Sequence, residues 1–155
     1  MITTRHGRSA PAPAWRLRLA EPRDEALLLR WRNDPAARQA SHQQDLVDAA
    51  VHMQWFARAL RDPERQIFIA ELDGQPVAMA RLEREPGGHQ LSWFVDEAAR
   101  GRGVGRRLLA EVLAATPGAI RAEIKSDNAA SRRLAASVGL IAAGECHGIC
   151  LVVRP

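Results

Sequence analysis

The sequence contains no tyrosine, and Lys125 is the one lysine among its 155 residues. The first absence excludes a phenolic hydroxyl from any reaction that this chain carries out. The second means that arginine supplies almost all of the basic charge, and the formal net charge is +4. Basic proteins often bind nucleic acid. Here acidic residues are interleaved with the arginines along most of the chain, and we therefore expect no nucleic-acid partner.

Cysteine and long apolar runs are also scarce. The two cysteines are Cys146 and Cys150, with His147 between them. A disulfide framework needs more cysteines, and this cluster lacks the fourth ligand of a zinc site. No apolar run is long enough to cross a bilayer, and no signal-peptide core follows the basic N-terminus. We therefore expect no metal, no membrane contact and a cytoplasmic location.

The apolar fraction of 46% is typical of a folded globule, and the length suits one ordinary domain. Residues 1–14 are rich in proline, alanine and serine, which predicts an N-terminal tail. We expect residues 15–155 to form a single domain, because no linker or internal repeat divides them.

Hydrophobic periodicity and turn residues predict the elements. The predicted strands cover residues 15–19, 66–72, 77–84, 89–95 and 119–125, followed by a strand pair over 140–153 that turns near Gly148. The first predicted helix is capped by Asp24 and broken at Asn33-Asp34-Pro35. The other predicted helices cover residues 46–60, 104–115 and 128–138.

The order of these elements predicts an α/β fold. Residues 66–95 read as an antiparallel meander of three strands, with Asp73-Gly74 as a hairpin turn. A strand that feeds a helix and then another strand is a crossover unit, which needs parallel pairing. We therefore predict a mixed, mostly antiparallel sheet of about seven strands with helices on both faces, which is not a Rossmann fold.

A glycine-rich turn, Arg100-Gly-Arg-Gly-Val-Gly105, connects a predicted strand to a predicted helix. Free amide hydrogens and the positive end of the helix dipole make such a helix start an anion site, and glycine lets an anion approach the backbone. The spacing is neither that of a dinucleotide fingerprint nor that of a P-loop. From these residues alone, a phosphate-binding turn and a purely structural turn are both open.

The turn resembles a family signature. Arg100-x-x-Gly103-x-Gly105 is similar to the (Gln/Arg)-x-x-Gly-x-(Gly/Ala) pattern of the GNAT N-acetyltransferases. Val95-Asp96 stands before the turn, and the segment from Asn128 through Ser131 and Leu134 to Gly139-Leu140 resembles a later part of the family pattern. The agreement in order and spacing extends from about Trp15 to the end of the chain. The resemblance implies a GNAT-like fold and an acyl-CoA-dependent N-acetyltransferase.

The resemblance also implies how acetyl-CoA is bound as cosubstrate. The amides from Arg102 to Arg106 would hold the pyrophosphate, and Val95 would pair with the pantetheine arm. Asn128 and Ser131 would contact the arm and the phosphates, although Asn128 is also suited to cap a helix. The full set of implied cofactor-binding residues is Phe94, Val95, Arg100, Gly101, Arg102, Gly103, Val104, Gly105, Arg106, Asn128 and Ser131.

The implied reaction is direct attack of an amine on the thioester. An alkylammonium has a pKa near 10.4, so a base must expose its lone pair. Glu123 is the first candidate, because ribosomal-protein acetyltransferases of this superfamily carry a catalytic glutamate five residues before the position of Asn128. We expect burial in a central strand to desolvate Glu123 in part. An ion pair with Arg121 or Lys125 is the alternative, and the second choices for the base are Glu83, Glu85 and His89.

The family often uses a tyrosine to protonate the departing thiolate. The matching residue here is Ala135, and no other tyrosine exists. A thiol pKa near 8.5 makes the thiolate a tolerable leaving group. We therefore hypothesise that the reaction needs no acid from the protein. A CoA-binding sensor without catalysis is the alternative that this absence favours.

The N-terminal half carries a narrower resemblance, in the segments 31–38, 52–56 and 62–63. It resembles amino-sugar N-acetyltransferases of the pseudaminic acid pathway, and in part ribosomal-protein acetyltransferases. A nucleotide-linked amino sugar would bring a diphosphate for Arg32 or Arg38 and a surface for Trp31. We take Trp31, Arg32 and Glu83 as substrate-binding candidates. The alternative role for Trp31 and Trp55 is packing in the core. The alternative acceptor is a peptide N-terminus. A homodimer is also possible from the sequence.

Overall fold

The computed structural model describes residues 10–155. The strands are β1 (Trp15–Leu19), β2 (Arg65–Leu72), β3 (Gln75–Glu85), β4 (Gly88–Val95), β5 (Ile120–Lys125), β6 (Ile141–Cys146) and β7 (Ile149–Arg154). The helices are α1 (Glu25–Arg32), α2 (Pro35–Ala40), α3 (Ala49–Ala59), α4 (Val104–Ala115) and α5 (Ala129–Ser137). Short 3-10 turns at Pro22–Asp24 and Glu97–Ala99 precede α1 and α4. Residues 1–9 of the predicted tail lie outside the described residues.

The seven strands form one sheet in the order β1-β2-β3-β4-β5-β7-β6. Every neighbouring pair is antiparallel except β4 and β5, which are parallel and pair at only two positions. The parallel pair is the crossover that α4 makes. The predicted mixed, mostly antiparallel seven-stranded α/β sheet is therefore confirmed.

Side-chain alternation divides the interior into two layers. On one face, Ala80 and Leu82 of β3 and Ala122 of β5 pack with Leu108 and Val112 of α4. The other face is covered by α1 and α3. Its core is formed by Leu28, Trp31, Phe56, Ala59, Ile67 and Ile69. The odd-numbered positions of β3 from Met79 onward, and those of β5, face this second layer, which determines where the site can form.

Aspartates and an asparagine set the starts of three helices. Asp34 accepts hydrogen bonds from the amides of Ala36 and Ala37, and Asp48 does the same for α3. Asn128 accepts from the amide of Ser131 at the start of α5. The prediction that Asn33-Asp34-Pro35 simply ends a helix was incomplete, because proline suits a first helical turn and α2 begins there. The predicted start of the second helix at residue 46 was also wrong, since Asp48 is its cap.

Asp24 occupies the cap position of α1 as predicted, but its side chain makes no capping hydrogen bond to that helix. Its carboxylate accepts two hydrogen bonds from Arg18, at 2.7 and 2.8 Å, and one from the amide of Glu21. Arg18 also donates to Glu71 at 2.7 Å. These three charged side chains are each at most 9% exposed. They join β1, the first 3-10 turn and β2 beneath the surface.

The hairpin between β2 and β3 turns at Asp73 and Gly74, which have φ values of 50° and 77°. Two positive φ values in a two-residue turn match the twist of the strands, as Asp-Gly predicts. None of the helices in residues 10–155 is long and apolar enough to span a membrane.

Candidate functional site

The site begins where β4 and β5 separate. They pair at His89–Ile120 and Gln90–Arg121, after which each strand continues without its neighbour. The backbone edge of β4 from about Ser92 to Val95 is therefore left open to a ligand. A cavity of about 1090 Å³ occupies this opening. Its lining comes from both faces of the sheet, so it connects the start of α4 with the surface beneath α1 and α2.

The glycine-rich turn forms one end of the cavity. Gly101 and Gly103 have φ values of 74° and 75°, a left-handed conformation that side chains with a Cβ disfavour. The first intrahelical bond of α4 runs from the Arg107 amide to the Gly103 carbonyl at 3.1 Å. The three preceding amides belong to the first helical turn, where no helix carbonyl precedes them. Free amides at a helix start are the groups that an anion site requires.

Gly105 is required for another reason. A Cβ at this position would lie 2.8 Å from Leu134 Cδ2 and 3.2 Å from Val95 Cγ2. The absence of a side chain therefore lets α4 approach both β4 and α5. This contact brings the helix start next to the open edge of β4.

Most of the predicted cofactor-binding residues line this cavity. They are Phe94, Val95, Arg100, Gly101, Gly103, Val104, Gly105, Arg106, Asn128 and Ser131. Arg102 is not among the lining residues. Arg100 donates from Nε to the Val95 carbonyl at 3.1 Å, and its guanidinium lies 5.7 Å from the centre of the Phe94 ring. Asn128 is the α5 cap as well as a lining residue.

Glu123 lines the cavity on the other face of the sheet. Its Oε2 is 3.1 Å from Nε2 of His42, and its Oε1 is 3.4 Å from Nη1 of Arg121. The Glu123 side chain is 34% exposed, so burial in the strand removes only part of its contact with water. The expected ion pair with Arg121 is present. Lys125 instead donates to the Gln39 carbonyl at 2.6 Å.

Arg121 binds Glu85 more closely than it binds Glu123. Two nitrogens of Arg121 bond the two carboxylate oxygens of Glu85. These hydrogen bonds hold the pKa of Glu85 below its usual value and raise the pKa of Arg121. Glu85 is therefore an ionised partner of Arg121. It does not line the cavity, and neither do His89 and Glu83.

Glu83, a predicted substrate-binding residue, is engaged by two arginines. Its Oε1 lies 2.9 Å from Nε of Arg65 and 3.3 Å from Nε of Arg81. Of these three residues, Arg81 lines the cavity. Glu83 therefore contacts Arg81 but does not itself reach the cavity.

The two tryptophans near the cavity differ in exposure. Trp31 is 4% exposed, and its indole N–H donates to Asp96 at 3.2 Å. It packs on Phe94 with ring centres 5.6 Å apart, so its contacts are those of a core residue that also borders the cavity. Trp55 is only partly buried and lines the cavity, with Arg65 and Arg81 over its ring. Arg38 does not line the cavity.

The position of the family's tyrosine is filled by Ala135, which is fully buried. The nearby Ser137 hydroxyl donates to the Leu134 carbonyl of its own helix. Cys146 is exposed on β6. Within residues 10–155, no group of three or more His, Cys, Asp or Glu side chains is arranged to hold a metal ion.

Among the polar cavity-lining residues that sequence reasoning did not single out are His42, His52 and Arg81. His42 lies in the loop between α2 and α3, 81 residues from Glu123. His52 is 5% exposed and contacts Glu25 at 3.0 Å through Nδ1. Arg81 stands in an alternating strand pattern that indicated only its face. No local signal connects any of them to the glycine-rich turn.

The fold and the glycine-rich turn together define an acetyltransferase-like α/β protein. The model of the acetyltransferase (GNAT) family matches residues 24–140. The chain belongs to this family. The resemblance found in the sequence is thereby confirmed.

Two curated relatives match parts of the chain. The mycothiol acetyltransferase of Clavibacter michiganensis subsp. michiganensis (strain NCPPB 382) is 42% identical over 80 residues, 51% of this chain and 26% of that protein. YwnH of Bacillus subtilis (strain 168), named for phosphinothricin acetylation, is 33% identical over 109 residues, 65% of this chain and 66% of that protein. The chain therefore spans about a quarter of one relative and somewhat less than two thirds of the other.

Solved structures share the fold. The ribosomal-protein-alanine N-acetyltransferase of Brucella melitensis has 29% identity and a TM-score of 0.75, covering 89% of this chain and 98% of that one. YncA of Salmonella typhimurium, solved with acetyl-CoA, has 22% identity and a TM-score of 0.75, covering 91% and 93%. At that lower identity the likeness concerns the fold alone.

Proposed function

We propose that this chain is an N-acetyltransferase that moves the acetyl group of acetyl-CoA to a primary amine by direct attack. The observation that carries the proposal is the single cavity that runs from the start of α4, past the open edge of β4, to Glu123. It offers an anion site, an unpaired strand edge and a carboxylate in the order that a phosphorylated thioester and an amine require.

The residues at the donor end suit coenzyme A. The first-turn amides of α4, the glycines before them and the positive charges of Arg100 and Arg106 favour a pyrophosphate. The open edge of β4 near Val95 has backbone groups that can pair with the amides of a pantetheine arm, as an added strand would. Acetyl-CoA would supply an activated acetyl group at the place where β4 and β5 separate.

At the acceptor end, Glu123 acts as the base. A carbon–nitrogen bond forms between the amine and the acetyl carbon, and the carbon–sulfur bond breaks. Glu123 takes a proton from the amine nitrogen, and His42 lies close enough to relay it to water. The thiolate takes its proton from solvent, because Ala135 is apolar and Ser137 bonds its own helix.

The acceptor is a primary amine of a small molecule in this proposal. The sequence resemblance favours a nucleotide-linked amino sugar, and the Brucella likeness supports a protein N-terminus as the second candidate. The buried, hydrogen-bonded indole of Trp31 argues against a stacking role in either case. Arg32 and Trp55 remain on the cavity wall to contact the acceptor.

A thiol-release assay tests the proposal. Purified protein is mixed with acetyl-CoA and a panel of amines, and free thiol and acetylated amine are measured in parallel. We expect both products in equal amounts with at least one amine. Tight coenzyme binding by calorimetry without product for any amine would instead support a sensor. Absence of coenzyme binding would contradict the donor site itself.

Substitution of Ser137 or Cys146 that abolished turnover, with coenzyme binding intact, would contradict acid-free catalysis.

A further inference from the structure

Two arginines from different elements line the acceptor end of the cavity. Arg32 is the last residue of α1, and Arg81 lies in β3. Burial lowers the pKa of Arg81, with the positive charges of Arg65 and Arg32 adding to that effect and Glu83 opposing it. Arg32 is therefore near enough to Arg81 for its positive charge to contribute to that lower pKa.

The strand alternation puts Arg81 on the same face of the sheet as the proposed base, Glu123. Arg81 pairs with Ser92 across β3 and β4. Ser92 and Glu123 each lie two residues beyond the last β4–β5 pair, Gln90–Arg121, on either side of the opening between the two strands. The three side chains share one face of the sheet because strand positions alternate. The Arg81 guanidinium and the Glu123 carboxylate thus line the same cavity, separated by β4 and by the opening between β4 and β5.

The contacts of Arg32 are incomplete. Its Nη2 donates to the Gln43 carbonyl at 3.0 Å. Its Nη1 is buried and has no hydrogen-bond acceptor within residues 10–155. A buried donor on a charged group is costly when it has no acceptor. An oxyanion in the cavity would supply one.

The positive charge on this side of the cavity exceeds the negative charge. Glu83 lies between Arg65 and Arg81, and Asp62 lies 4.0 Å from Arg65, so these two guanidiniums have two carboxylate partners. Arg32 adds a third positive charge, and its hydrogen-bond acceptor is the neutral carbonyl of Gln43. The aromatic ring of Trp55 lies 5.7 Å from the Arg81 guanidinium and holds it in place without neutralising it.

We propose that Arg32 and Arg81 bind an oxyanion carried by the acceptor, so that the substrate is a small amine with a carboxylate or a phosphorus oxyanion. The inference rests on the proposed function for the identity of the amine end. Glu123 receives the ammonium group, and the two guanidiniums bind the opposite end of the molecule through charge-assisted hydrogen bonds. The acceptor is then oriented by charges of both signs.

The test uses amines that differ only at the far end. Linear ω-amino acids of increasing length, from glycine to 6-aminohexanoate, are compared with alkylamines of the same length and with the matching aminoalkylphosphonates. Binding is measured by calorimetry, with and without saturating coenzyme A, and acetylation is measured beside it. We expect at least one oxyanion-bearing chain to bind at least tenfold more tightly than its alkylamine. Carboxylate and phosphonate members show which oxyanion is preferred.

Arg81→Met and Arg32→Gln are the test variants, and Arg84→Met is the control. Arg84 is on the same strand as Arg81 but is 66% exposed and does not line the cavity. We expect the oxyanion preference to shrink by about tenfold to a hundredfold in each test variant and to persist in the control. Arg81→Lys, which keeps the charge but not the forked geometry, should retain part of the preference.

The two proposals fail in different ways. Equal binding of alkylamines and oxyanion-bearing chains at every length overturns the oxyanion site. So does a preference that survives in both test variants. Neither result affects coenzyme binding or acetylation of other amines. If the unaltered protein does not bind coenzyme A, the proposed function is overturned. The titrations without coenzyme still show whether the oxyanion-bearing chains bind more tightly than the alkylamines.

Discussion

Individual glycines in the turn before α4 serve two purposes. Gly101 and Gly103 allow a left-handed backbone, with φ values of 74° and 75°. Gly105 has no such requirement, but a Cβ there would meet Leu134 at 2.8 Å. The sequence predicted the turn from its spacing. The packing role of Gly105 depends on Leu134, which is brought there by α5.

Gly103→Val should weaken coenzyme A binding by about 2–4 kcal/mol, because it disrupts the amides that would bind the pyrophosphate. Calorimetry with coenzyme A measures the change. The matched control is Gly74→Val, because Gly74 has a similar φ of 77° and also has no atom within 4 Å of an added Cβ. Both variants should lose stability from backbone strain. A folded Gly103→Val protein that kept full affinity would argue against a phosphate-binding turn.

Glu123 illustrates how far a single position can be predicted. Its distance in sequence from Asn128 indicated a catalytic carboxylate, and the structure places it on the cavity wall. Its contact with His42 joins residues 81 positions apart. That distance explains why His42 did not emerge from the sequence.

Glu123→Gln should lower kcat at neutral pH by about a hundredfold, a typical contribution of a general base. Coenzyme binding should be unchanged. The rate should recover toward pH 10, since the free amine then forms in solution without a base. A pH–rate profile of both proteins measures this effect. Glu145→Gln, at an exposed position on β6, is the control. A variant as fast as the original at pH 7 would contradict the role.

The helix starts show how capping residues define elements. Asp34 and Asp48 each accept from two amides of the following turn. Both signals are readable in the sequence, and Asp34-Pro35 is a typical start for α2. The prediction treated the proline as a breaker alone. The strands were predicted more closely, because their alternation and turn residues agree.

The C-terminal end of α4 is held by a residue of the last strand. Arg154 donates from Nη1 to the Leu113 carbonyl at 2.8 Å, and from Nη2 to the carbonyls of Thr116 and Gly118. A positive charge also complements the negative end of the helix dipole. Arg154 therefore links β7 to α4 at the end opposite the proposed coenzyme site.

Arg154→Met should reduce the free energy of unfolding by about 1.5–3 kcal/mol, the usual value of hydrogen bonds to a charged group. Urea denaturation measures the change. Coenzyme affinity should stay close to that of the unaltered protein, because the start of α4 is not touched. Arg58→Met, at an exposed position of α3, should change stability by less than about 0.5 kcal/mol. An equal loss in both variants would show that the Arg154 contacts contribute little.

For the whole molecule, the Arg18–Asp24–Glu71 cluster joins the first strand to the rest of the sheet. Burial alone would raise the pKa of Asp24, but the hydrogen bonds from Arg18 and from the Glu21 amide outweigh it and lower that pKa. The hydrogen bonds to Asp24 and Glu71 raise the pKa of Arg18, although its burial opposes that shift. Asp24 is therefore ionised in the folded protein under ordinary conditions.

Because the pKa of Asp24 is lowered in the folded protein, the stabilisation that its carboxylate gives depends on pH. Asp24 stabilises the fold fully above its unfolded pKa of about 3.9, and the contribution is lost as pH falls through the lower folded value. Asp24→Asn should cost about 3 kcal/mol at pH 7, since it removes one partner of a buried ion pair. Its unfolding free energy should also fall less steeply below about pH 4. Chemical denaturation from pH 7 to pH 2 measures both effects, with exposed Asp45→Asn as the control. Parallel pH profiles for Asp24→Asn and the unaltered protein would contradict the assignment.

The sequence by itself determined the mixed sheet, the strand order along the chain, the glycine-rich turn and the family. These features depend on short periodic patterns and on local backbone requirements, which a sequence displays directly. The tertiary structure decided which charges meet. It paired Glu123 with His42, buried Trp31 in the core and placed Arg81 and Arg32 on the wall of one cavity. Such contacts depend on strand register and helix packing between distant segments, and no local pattern encodes them.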